Sequence, residues 1–215
     1  MPRMARVVVP EYPHHVTQRG NRCQTVFFRN EDWSRYLALI RAASQHVGTR
    51  VLAYCLMPNH VHFVLVPRHA EGLRSTMADA HRRYTQRVNL REGWRGHLWQ
   101  ERFHSVVMDE THLQAAIPYV ECNPVRAGLC SSPEDWRWSS ASESRADRPN
   151  GLVDWNLRAW CVEEVDHGKG NANELDEEIR MHTRTGPPLG ATPFVDWLEQ
   201  VTDRTLKPRK PERRS

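Results

Sequence analysis

Nowhere in the chain does an apolar run approach the roughly 18 residues that a membrane span needs. The apolar stretch in the opening MPRMARVVVPEYP is too short for a secretion signal. No CxxC pair occurs among the five cysteines at 23, 55, 122, 130 and 161, which argues against a Cys-based zinc site. An odd number of cysteines without a signal reads as reduced thiols. No internal repeat is visible, and no RNP-like aromatic motif marks the strands, which counts against an RNA-binding sheet. A soluble, cytoplasmic protein is expected.

What the chain does have is periodic apolar sequence and unevenly spread charge. The hydrophobic fraction is 39% of 215 residues, enough for one domain with an appendage or two small domains. The net charge of +4 and pI near 8.9 favour an anionic partner without identifying it. Residues 74–102 carry seven arginines (74, 82, 83, 87, 91, 95 and 102) against Asp79, Glu92 and Glu101. Residues 204–215 carry six basic residues against Glu212, while residues 163–178 are acidic.

The patterning predicts a strand over residues 14–19, closed by Gly20 and Asn21. Asn30 is expected to cap a helix that carries Glu31 and Asp32 in its first turn and ends at Gly48. A hairpin follows, with strands over 51–56 and 60–66 and a turn at 57–59. Residues 73–90 read as a basic amphipathic helix, 91–96 as a loop, and 102–108 as a fourth strand. Asp109 or Thr111 should cap a helix running to about Val125 and stopping near Gly128. The order β-α-β-β-α-β-α matches a split-βαβ, ferredoxin-like α+β fold: an antiparallel sheet with helices on one face and an open face for a site. Ser- and Pro-rich residues 131–150 read as a linker. Beyond it, helices are expected over 173–183 and 193–201. The expected division is a catalytic domain over 1–130, a linker over 131–150, a helical extension over 151–203 and a basic, disordered tail over 204–215.

Two constellations carry chemistry. His60 and His62 alternate on a strand, so both imidazoles project from one face, close enough for one metal ion. Val61, Phe63 and Leu65 supply the buried face, so the histidines take the other. Spacing alone does not separate a metal pair from two polar residues on a half-exposed strand. Tyr119 and Asn123 stand four apart on a predicted helix and share one side. On that pattern alone, a structural aromatic with a capping amide is the plainer reading. Arg74, Arg82, Arg83 and Arg87 are placed to meet phosphates, with His81 and Tyr84 near bases, or else to form a solvated face.

Four segments together resemble a known family: residues 54–62 (YCLMPNHVH), Arg102 with Phe103, residues 119–128 (YVECNPVRAG) and residues 133–140 (PEDWRWSS). Their types and order are similar to the single-tyrosine HUH transposases, in particular the REP-associated tyrosine transposases of bacteria. The likeness covers roughly residues 10–140, and the tail over 185–211 resembles the extension of longer members. The resemblance implies a ferredoxin-like core, Mg²⁺ or Mn²⁺ bound by His60 and His62, a third ligand one turn after the nucleophile at Asn123, and Tyr119 as that nucleophile. It implies a DNA-associated enzyme that cleaves and rejoins single-stranded, hairpin-bearing DNA (REP-like repeats) through a 5′-phosphotyrosine, as a monomer or homodimer. Two residues depart from the pattern, Pro118 and, as a less usual occupant, Cys122. Pro118 precedes Tyr119 and should kink the helix at a cost of about 3 kcal/mol. The alternative it raises is a catalytically impaired, domesticated protein that binds DNA without cutting it.

Overall fold

Alternation along the strands sorts side chains onto two faces, and this sorting organises the fold. In the computed structural model, which describes residues 6–145, 150–163 and 172–207, the elements follow in order. They are β1 His14–Arg19, α1 Asn30–Val47, β2 Arg50–Met57, β3 His60–Val66, α2 Gly72–Glu92, β4 His104–Val107, α3 Glu110–Glu121, α4 Asn123–Arg126, α5 Ser140–Glu143, α6 Trp155–Glu163, α7 Ala172–Thr185 and α8 Thr192–Thr202. The sheet order is β2-β3-β1-β4, and every pairing is antiparallel. This is the ferredoxin-like order, and the match includes the expected bounds of β1 and β3.

Val61, Phe63 and Leu65 of β3 pack with Val16 against α1 and α2, which contribute Tyr36, Ile40, Met77, Ala80, Tyr84 and Val88. Val64 and Val66 point the other way, with Leu52, Cys55 and Val106, and meet Leu113, Ile117 and Val120 of α3. The second face is not open as expected. Ile179 of α7 and Leu189 join the cluster under α3, so the C-terminal helices cover that face as well. An open face would have kept Val64 and Val66 in water and forfeited their burial.

The helix ends differ in detail from expectation. Asn30 is the first helical residue rather than the cap of α1, and Asp32 in the first turn reaches back, its Oδ2 accepting from the Phe28 and Arg29 amides at 2.9 and 3.1 Å. Arg91 at the end of α2 grips the same carboxylate at 2.5 and 3.0 Å, tying the two helices together. Asp109 caps α3, accepting the His112 amide at 3.0 Å. α3 runs through Pro118 without breaking and ends instead at Cys122, so Asn123 opens the short α4.

Residues 136–140, inside the expected linker, line the outer edge of β2. The Trp136 indole donates to Leu56 O at 2.8 Å, and the Leu56 amide donates to Trp138 O at 2.9 Å. Ser140 Oγ donates to Glu121 at 2.6 Å, and Arg158 of α6 pairs with the same carboxylate at 2.7 Å. Leu206, at the start of the expected tail, is buried with Val7, Val9, Val107 and Leu198; residues 208–215 lie outside the described residues. Among the described residues no helix is long and apolar enough to cross a membrane.

Candidate active site

The β2–β3 turn is where the histidine strand begins, and three neighbours clasp it. Gly20 N–H donates to Asn59 O at 2.8 Å, and Val26 N–H donates to Pro58 O at 2.9 Å. Gly20 allows this approach: a Cβ there would sit 2.4 Å from Gln24 O and 2.6 Å from a Val26 methyl. Asn59 Nδ2 donates to Cys23 O at 3.0 Å, which fixes the amide orientation. Its Oδ1 therefore faces His60 Nδ1 at 2.6 Å. An amide oxygen only accepts, so His60 carries its proton on Nδ1 and its Nε2 keeps a free lone pair. Sequence patterning did not single out Asn59; a turn Asn next to a candidate ligand was the available signal.

His60 and His62 share the α3 face of β3, with ring centroids 4.9 Å apart. Burial, and then the Arg19 charge, pulls His60 down to about 4. Burial also holds His62 well below the ordinary histidine range, with His15, His60 and Arg126 adding to the effect. Both rings are thus neutral near pH 7, the form that binds metals.

Tyr119 comes to the same place from α3. Its ring centroid lies 6.3 Å from His62 and 5.7 Å from His15, edge-on to each. The Arg126 guanidinium sits 4.3 Å from the ring centroid, donates to Tyr119 O, and pairs with Asp176 of α7 at 3.2 Å. The ring is only 6% exposed. Asn123 Nδ2 donates to the carbonyls of Tyr119 and Val120 at 3.1 and 3.2 Å. The amide therefore closes the last turn of α3, which leaves Oδ1 as its ligand-type atom. Among the described residues no three His, Cys, Asp or Glu side chains converge as a metal-ligand set. The donors brought together for a divalent cation are the two neutral imidazoles of His60 and His62, a pair compatible with Mn²⁺ and less selective for Mg²⁺, while the Asn123 amide is engaged at the helix end.

Arg74, Arg82, Arg83 and Arg87 are exposed on α2, so they lie across the sheet from the histidines. Arg82 and Arg83 both reach Asp79, at 2.8 and 3.4 Å, and Arg74 reaches Glu71 at 3.0 Å. Arg74 and Arg82 border a cleft of about 550 Å³ whose wall includes Arg6, Arg102, His97 and Phe103. Two neighbours expected near bases turn inward instead. Tyr84 is fully buried, its hydroxyl donating to Val26 O at 2.7 Å. His81 meets the Tyr36 hydroxyl at 2.8 Å and stacks on Trp99. Residues missed by sequence reasoning are Asn59, His15 and Arg126. Asn59 and Arg126 lay inside the family-like motifs, and His15 lay outside them.

The family model described as Transposase IS200 like matches residues 9–123, more than half of the chain. A curated Haemophilus influenzae protein named as a candidate REP-associated tyrosine transposase is 23% identical over 136 residues, covering 58% of this chain and 75% of that protein. A solved structure of a REP-associated tyrosine transposase bound to a REP hairpin superposes with a TM-score of 0.58 at 16% identity, covering 80% of this chain and 96% of that one. That likeness shows a shared fold. The sheet order, the sequence motifs and the matched span agree, and the chain belongs to the IS200-like transposase family.

Proposed function

We propose that this transposase cuts and rejoins single-stranded DNA next to a hairpin, with Tyr119 as nucleophile and His60, His62 and Asn123 as ligands of a divalent metal, Mg²⁺ or Mn²⁺. The observation that carries the reading is the meeting of Tyr119 and His62 on one sheet face, with ring centroids 6.3 Å apart. A bound divalent ion supplies Lewis-acid stabilisation of the charge on the scissile phosphate. Asn59 holds His60 with its bare nitrogen outward.

Tyr119 Oη attacks the phosphorus as its proton leaves to solvent. The P–O3′ bond breaks, the departing oxygen takes a proton to become a 3′-hydroxyl, and the 5′ phosphate stays on Tyr119. The reverse step, attack by another 3′-hydroxyl, releases the tyrosine and restores the phosphodiester, so no external energy source is consumed. A free phenol, with a pKa of about 10, is a weak nucleophile at neutral pH, so the attack relies on a well-positioned phosphate and on the bound metal. The hairpin as partner is suggested by the relative solved with a REP hairpin. The exposed arginines of α2 and the cleft they border suit the phosphate backbone.

The slight exposure of Tyr119 favours a second reading, binding without cutting. One assay separates them: a hairpin oligonucleotide with a single-stranded flank, incubated with Mn²⁺ or with excess EDTA and run under denaturing conditions. A covalent adduct formed only with metal supports the first reading. Tight hairpin binding with no adduct under any condition supports the second, and an adduct formed in EDTA refutes the metal assignment.

A further inference from the structure

We infer that His15 and Thr183 set the tautomer of His62, so that α7 of the C-terminal extension completes the metal site on β3. This rests on the reading of His60 and His62 as ligands.

Proton accounting carries the inference. The Thr183 hydroxyl lies 2.6 Å from Ile179 O, and a carbonyl can only accept, so its single proton points there. His15 Nδ1 lies 3.0 Å from Thr183 Oγ1. With the hydroxyl proton committed, that oxygen accepts, and His15 carries its N–H on Nδ1. A neutral imidazole has one N–H, so His15 Nε2 is bare. It lies 3.1 Å from His62 Nδ1, which must therefore hold a proton and donate it. His62 Nε2 is then bare, as Asn59 makes His60 Nε2 bare. Both rings on the strand present the same nitrogen.

The geometry separates this relay from a site in which His15 is itself a ligand. The His15 and His62 planes lie within 11° of each other. Their centroids, 5.3 Å apart, are farther apart than the bonded nitrogens by about a ring's width. The rings thus meet edge to edge in nearly one plane, although their parallel planes suggest a stack. Two imidazoles sharing a metal at about 2.0–2.1 Å each would turn both lone pairs toward the ion. Here the two nitrogens face one another. Partners of this kind fix a ligand's ring and raise its basicity. Ile179 is buried with Val120 and Leu189, so apolar packing places α7, and Thr183 follows one turn later.

The test reads ring tautomers directly, by long-range ¹⁵N–¹H correlation on the metal-free full chain, followed by Mn²⁺ calorimetry. His62 is expected as the Nδ1–H tautomer in the wild type and in Thr183→Ser. In Thr183→Val and His15→Phe it should shift toward Nε2–H, and Mn²⁺ affinity should fall about 10- to 100-fold. His60, held by Asn59, should stay Nδ1–H throughout and, with the melting temperature, reports that each variant is folded. An Nε2–H His62 in the wild type, or a tautomer indifferent to both substitutions, overturns the relay. Equal Mn²⁺ affinity in the wild type and Thr183→Val overturns the role of α7 while His60 and His62 remain ligands. If the wild type shows the tautomer but binds no Mn²⁺, the ligand reading itself is wrong.

Discussion

On the α1–α2 face of the sheet, Tyr84 is enclosed by Phe27, Tyr36 and Trp99, with its hydroxyl bonded to a backbone carbonyl. On the α3–α7 face, Tyr119 is bordered by His15, His62 and Arg126. Both tyrosines sit on helices near arginines in sequence, and Tyr84 has the more basic neighbourhood by far. The structure reverses that impression. Burial drives the Tyr84 hydroxyl above its ordinary range, with Asp32 adding to the shift, so the phenol is a poor acid. Local charge in sequence is a weaker guide to chemistry than which face of the sheet a helix covers.

The largest expected effect strikes only the α3 face. His60→Ala or His62→Ala should remove cleavage by more than about a thousandfold, since several kcal/mol of charge stabilisation go with the metal. Hairpin affinity in a filter-binding assay should stay near wild type. A fall in binding as large as the fall in cleavage would mean the histidines support structure instead.

Acid should strain both faces together. His14 and His15 are fully buried, and burial lowers them to about 4 and about 3. Below pH 6.5 the unfolded chain takes up protons on both rings, and the folded chain does so only near those lower values. Stability is therefore complete above about pH 6.5 and falls by about 1.4 kcal/mol per pH unit per histidine as the pH drops toward 4. Urea melts from pH 7.5 to 4.5 check this, and a midpoint independent of pH contradicts the buried neutral rings.

A smaller contrast uses the tyrosine of the closed face. Tyr84→Phe deprives Val26 O of its donor and should cost about 1–2 kcal/mol of stability, with adduct formation unchanged once the protein is folded. Loss of the adduct in this variant would move the chemistry to the other face. Least in magnitude is the double change Arg82→Ala with Arg83→Ala. For every single-strand phosphate that these arginines no longer neutralise, the slope of log affinity against log salt should flatten by about 0.7. An unchanged slope would place the DNA away from α2.

Much of the fold was legible because the signals were local. Alternation marked β1 and β3, the short turn at Pro58 and Asn59 set the β2–β3 hairpin, and the arginines marked α2. The inward turn of Tyr84 was missed although a signal existed: Met77, Ala80, Tyr84 and Val88 repeat at helical spacing and are all buried, but the flanking arginines drew the reading outward. Residues 136–140 were not, because single indoles and hydroxyls bonding the β2 edge leave no period in a Ser-rich stretch. For the site, His60, His62 and Tyr119 stood out by type and motif. Their partners did not. His15 meets His62 across 47 residues and Thr183 across 168, and no spacing rule encodes such meetings.

The central claim is that Tyr119, on the face shared with His60 and His62, is the residue that attacks DNA. Mass spectrometry of the covalent adduct, trapped with Mn²⁺ on a hairpin oligonucleotide and digested, tests it most directly. The account predicts a nucleotide on the peptide carrying Tyr119 and none in Tyr119→Phe. A nucleotide on Tyr84, or an adduct that survives Tyr119→Phe, would contradict it.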